Sequence, residues 1–99
     1  MRMMLLAVAG LFLAAPAFAD DVWTGVPVHP STMSNFVGDS VVWGCGASGC
    51  TTQSDTSVGD ADSECRALAR QVGVLSSYTA GKPFDTERLA RCNKVAEKQ

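Results

Sequence analysis

Four cysteines, Cys45, Cys50, Cys65 and Cys92, are the residues of this 99-residue chain whose type and spacing could do chemistry. They are spaced C-x4-C-x14-C-x26-C. Such a set could hold a metal, exchange electrons or cross-link the fold. Zinc knuckles bring ligands together as two close pairs, and only Cys45 and Cys50 make one, so no metal site is expected. There is no C-x-x-C, and C-x4-C does not place a thiol at a helix N-terminus where its pKa would fall. The remaining reading is a disulfide framework.

Other catalytic material is sparse. His29 is the one histidine, set between Val28 and Pro30 in a stretch without periodicity, where a general base would lack fixed geometry. Gly44 to Gly49 spells G-x-G-x-x-G, but a dinucleotide site needs that pattern between a strand and a helix. Here Cys45 precedes the turn and Cys50 closes it before Thr51-Thr52, which reads as a glycine-rich hairpin. Asp60/Asp62 and Asp85/Glu87 sit where helices should begin, and their charge suits that positive end. No catalytic residue, metal ligand or cofactor-binding residue is assigned, which points away from an enzyme. No cofactor is expected.

A disulfide framework requires an oxidising compartment, and the N-terminus supplies the address. Arg2 is followed by an unbroken apolar run of 13 residues, Met3 to Ala15, then Pro16 and the small-residue site Ala17-Phe18-Ala19. This is the pattern of a cleaved secretory signal over residues 1–19, too short for a membrane anchor of about 20 apolar residues. No membrane span is expected after cleavage. With Arg2 gone, 7 of the 8 Lys+Arg remain against 10 Asp+Glu, a net charge near -3 with no basic stripe. Nucleic-acid binding has no support. About 80 residues bury little apolar area, so staples matter.

The elements that must position the cysteines follow from pattern. Val41-Val42-Trp43 leads into Cys45, Gly46 to Gly49 is a four-residue turn, and Thr51-Thr52 resumes strand composition, a hairpin that faces Cys45 with Cys50. Ala61, Cys65, Leu68, Ala69 and Val72 recur at helical spacing, with Glu64, Arg66, Arg70 and Gln71 filling the other side. Asp60 or Ser63 caps this helix and Gly73 ends it. Val74 to Thr79 follows as a strand, Ala80-Gly81-Lys82 as a turn. Asp85 caps a second helix, which carries Leu89, Cys92 and Ala96 inward, with Phe84 stapled to Leu89. Two helical cysteines facing one small core can meet, so the favoured pairing is Cys45–Cys50 with Cys65–Cys92. In the chain-entropy picture the second contributes about 3.5 kcal/mol and the first about 2.

The order hairpin, helix, strand, helix implies a small α+β domain over 40–99, a mostly antiparallel sheet with two helices on one face. Residues 20–39, with Gly25, Pro27, Pro30 and Gly38, read as an extended or partly disordered arm, from which Trp23 or Phe36 tucks against the domain or is offered to a partner.

Val42-Trp43-Gly44-Cys45-Gly46 with Cys50, Cys65-Arg66-Ala67-Leu68-Ala69 with Val72-Gly73, and Leu89-Ala90-Arg91-Cys92-Asn93 resemble a family of small exported bacterial proteins of unknown function. The likeness spans Val41 to Ala96. It implies an exported, cysteine-stapled domain and brings no activity, ligand or catalytic residue. Three functions compete. One is a non-enzymatic periplasmic or secreted accessory module that binds an unknown envelope or extracellular protein through the arm or a sheet edge. Another is a thiol-disulfide protein using Cys45 and Cys50. The third is an inhibitor of an exported hydrolase whose loop Gly46 to Gly49 enters a cleft.

Overall fold

In the computed structural model, residues 22–97 are described; the expected signal segment, 1–19, lies outside them. Apolar alternation builds a six-stranded antiparallel sheet from β1 (Thr24–Pro27), β2 (Phe36–Val37), β3 (Val42–Gly46), β4 (Gly49–Thr52), β5 (Leu75–Ala80) and β6 (Lys82–Pro83). The spatial order is β2-β3-β4-β1-β5-β6. Two helices, α1 (Ala61–Val72) and α2 (Thr86–Glu97), complete an α+β fold.

β1 is the largest departure from expectation. The segment read as an arm is extended, but β1 pairs antiparallel with β4 on one side and β5 on the other, in the middle of the sheet. Trp23 N donates to Thr52 Oγ1 at 3.0 Å, and Thr52 N donates back to the Trp23 carbonyl at 3.1 Å. Phe36 stands opposite Trp43. Both aromatics are half-buried against the core rather than offered outward. The sequence T-G-V-P hides this strand because Gly25 lies beneath α1: a Cβ there would come within 2.6 Å of Leu68 Cδ2. The helix sits too close to β1 for any side chain at position 25.

The hairpin forms with a tighter turn than the four residues expected. Gly46 pairs with Gly49, which leaves Ala47 and Ser48 as the loop, and Cys45 pairs with Cys50 directly opposite. Asp60 caps α1 by accepting from Ser63 N at 2.9 Å. Gly73 ends it at φ 93°, where glycine alone is unstrained, donating to the Ala69 carbonyl. Asp85 accepts from Arg88 N at 2.8 Å at the start of α2. Both expected disulfides form, Cys45–Cys50 with Cα atoms 3.9 Å apart and Cys65–Cys92 with 5.9 Å. The first separation is shorter than the usual disulfide range and than the about 4.5 Å of closely opposed residues on antiparallel strands.

The core is Trp43, Cys50, Cys65, Leu68, Ala69, Leu75, Tyr78, Phe84 and Cys92. Tyr78 meets Phe84 edge-on at 4.7 Å between centroids and Trp43 at 6.0 Å. Glu64 belongs here too, against its assignment to the outer side of the first helix: it is 0% exposed. Its carboxylate accepts from Asp39 N at 3.1 Å, Ser40 N at 2.5 Å and Trp43 Nε1 at 3.1 Å. Three donors replace the water it gave up, which is what lets an acid sit inside. Gly38 allows the approach, since a Cβ there would lie 2.5 Å from Glu64 Oε1. Asn93 works similarly on α2, accepting from Leu75 N at 2.8 Å and donating to the Leu75 carbonyl at 2.9 Å. These two polar side chains tie the helices to the sheet.

Candidate binding face

Successive side chains of a strand point to opposite faces, so register decides what each face carries. Trp43 opposite Thr52, Cys45 opposite Cys50, and Gly25 opposite both Cys50 and Tyr78 lie on the side covered by the helices. The residues between them form the other side. Gly44, Thr51, Thr24, Thr79 and Pro83 stand in one row across five strands. Val26 opposite Ser77 forms the next row, and Val37 opposite Val42 extends the face toward the β2 edge. None of these outward residues is buried, and Val26, Val37 and Ser77 are exposed.

Among the described residues, no outward strand position carries a charge. The face is built of threonine, valine, serine and glycine. Its polar groups are hydroxyls, with Gln53 Nε2 donating to Thr51 Oγ1 at 3.1 Å and Ser76 Oγ to the Val26 carbonyl at 3.0 Å. The charges gather on the opposite layer. α1 holds Asp62, Arg66 and Arg70, and α2 holds Glu87, Arg88, Arg91, Lys94 and Glu97. Arg88 links the two helices by a double contact to Asp62, Nε to Oδ1 at 2.8 Å and Nη2 to Oδ2 at 3.1 Å. It also lies 3.9 Å from the centroid of Phe84. The hydrogen bond from Arg88 lowers the Asp62 pKa, and the Arg88 pKa rises in return.

The other residues weighed for chemistry stay apart. His29 is exposed beyond the end of β1. Gly44 to Gly49 is the end of β3, a turn and the start of β4, with no helix behind it to receive a phosphate. Among the described residues no group of three or more His, Cys, Asp or Glu could hold a metal ion. Tyr78 is buried, and burial raises its pKa, with the Glu64 charge adding to the effect. Its hydroxyl has no hydrogen-bond partner among the described residues. The sheet edges are short: β2 and β6 have two residues each, and β6 contains Pro83. Edges so short and proline-blocked are poor templates for an added strand.

Sequence reasoning did not find the open face, because its pattern depends on β1 being recognised as a strand. Thr24 and Thr79 are 55 positions apart and become neighbours only in the sheet. The alternation of Thr51 with Thr52 and of Ser77 with Tyr78 was the available signal.

Two disulfides fit an oxidising environment. No helix among the described residues is long and apolar enough to cross a membrane. No curated protein and no solved structure matches the chain. A family match covers residues 7–94, starting well before Val41, where the sequence resemblance began, and so taking in the segment that supplies β1. On that match the chain belongs to DUF8200, a family of unknown function.

Proposed function

We propose that this protein is exported by a signal removed after Ala19 and acts in the periplasm or outside the cell as a non-enzymatic binding module. The observation that carries this reading is the division of the sheet. One side is committed to the core, and the other is a broad face free of charge that no helix covers among the described residues. A surface of hydroxyls and methyls on the side of the sheet away from the charged helices suits contact with an uncharged, flat partner surface. The motif Trp43-x-Cys45-x4-Cys50 is the hairpin that supports one flank of this face, and we read it as the family's signature.

This shifts the contact from an arm or a sheet edge to the sheet face. A thiol-exchange role is disfavoured by the complete burial of Cys50 within the core. A hydrolase inhibitor would need side chains to fill a cleft, and the hairpin tip offers only Ala47 and Ser48 beyond its paired glycines.

The test has two readouts. N-terminal sequencing of the exported protein should give Asp20-Asp21-Val22. Retention in the envelope fraction should fall at least tenfold in Thr24→Arg and Ser77→Arg, with secondary structure unchanged. Retention equal to wild type in both variants removes the face from the function.

A further inference from the structure

Resting on that reading of the open face, we infer that its first occupant is a second copy of this chain, packed sheet to sheet with the helices outermost. The argument begins with charge. Burying an ionised group is costly unless it is paired, and two copies of this face bring none together. The charged helical layers stay in water on either side.

Hydrogen bonding makes the same surface self-complementary. A hydroxyl both donates and accepts, so a row of threonines can satisfy an identical row laid over it. Thr51, Thr24 and Thr79 form that row, and Thr51 and Thr24 lie on the two middle strands, β4 and β1. A two-fold axis through the middle of the patch therefore brings like residues near one another, as an isologous pair requires. Gln53 lies over Gly44 and Val26 beside Gly49, and Val26 and Val37 are exposed on the surface. Small and branched side chains of this kind interdigitate when sheets stack about 10 Å apart.

Size sets the strength. Six strands about 4.8 Å apart and two to six residues long, roughly four on average, give a face of about 29 by 14 Å, so a pair buries on the order of 800 Å². That is the lower end for a specific contact and corresponds to a reversible dimer. A dissociation constant on the order of 10–100 µM is expected, or about -6 kcal/mol.

The experiment is sedimentation equilibrium of the oxidised protein, as recovered from the producing cell, over about 1 µM to about 1 mM. A monomer–dimer equilibrium is expected, changing less than about twofold between about 0.02 and about 0.5 M salt because no charges meet. Thr24→Arg and Ser77→Arg should each weaken it at least a hundredfold, since every substitution enters the interface twice. Circular dichroism at low concentration confirms that each variant is folded. A protein monomeric throughout overturns the inference, and so does a dimer indifferent to both arginines. If it is monomeric yet the arginines abolish envelope retention, the binding face stands and only the second copy is wrong. If retention is also unaffected, both readings fall.

Discussion

The two faces of the sheet are made from alternating residues of the same strands, yet they serve opposite ends. Tyr78 is closed in between Trp43 and Phe84, while its neighbours Ser77 and Thr79 look outward with no helix above them. On the covered side Thr52, Glu64 and Asn93 are tied to named partners, and among the described residues the Tyr78 hydroxyl is buried without one. On the open side the hydrogen bonds of Thr51 and Ser76 are local, made to Gln53 and to the Val26 carbonyl. Stability should therefore reside almost wholly on one side, leaving the other free to be spent on contact.

The largest effect should come from the bond that joins the helices. Replacing Cys65 and Cys92 together with alanine should lower the unfolding free energy by about 3–4 kcal/mol, against about 2 for the same change at Cys45 and Cys50. Urea unfolding of the two double variants gives the comparison. A hairpin pair that costs more would put the main staple at the sheet margin and not under the helices.

Glu64 comes next. Glu64→Ala leaves Asp39 N, Ser40 N and Trp43 Nε1 facing a space without an acceptor, at a cost of about 2–4 kcal/mol. Denaturation midpoints measure it. A cost below about 0.5 kcal/mol would mean that water replaces the carboxylate freely and that this side is not closed.

Tyr78 gives a pH signature to the same region. Its folded pKa lies above the unfolded value near 10, so the native state holds its proton longer than the unfolded chain does. The stability this adds is complete below pH about 10 and is lost as pH rises beyond it, by at most about 1.4 kcal/mol per unit. Tyr78→Phe should flatten that alkaline slope. It should also leave stability at neutral pH unchanged or higher, because it removes a hydroxyl without a partner. Asp62 has the opposite sign. Its folded pKa is depressed, so its contribution is present above pH about 4 and is lost as pH falls through the folded value. The pair with Arg88 is 39% and 45% exposed, which keeps this below about 1 kcal/mol. Melting curves of Asp62→Asn between pH about 2 and about 6 should show a weaker acid slope than wild type.

Legibility in the sequence divided along the same line. The hairpin, both helices and their caps were readable because each is local: Asp60 and Asp85 lie beside the amides they cap, and Cys45 and Cys50 flank one turn. The pairing Cys65–Cys92 followed from two amphipathic stripes. Glu64 was misplaced because helical spacing shows which stripe is apolar but not that the loop Gly38 to Ser40 folds over an acid and supplies its hydrogen bonds. β1 was missed for a related reason. Gly25 and Pro27 are poor strand formers alone, and it is the neighbouring strands, with Leu68 above Gly25, that make them a strand. The open face needs β1, so it was out of reach of any local pattern.

The smallest expected effect is the sharpest test of the division. Ser77→Ala changes an exposed residue one position from Tyr78, on a rung shared with Val26. At concentrations where the protein is monomeric it should alter stability by less than about 0.5 kcal/mol, whereas Tyr78→Ala should cost about 3 or more. Chemical denaturation of both variants at about 1 µM puts the two faces side by side in one strand. A loss above about 1 kcal/mol for Ser77→Ala would mean that something within the chain already covers this face. In that case the surface is part of the core and has no partner to bind.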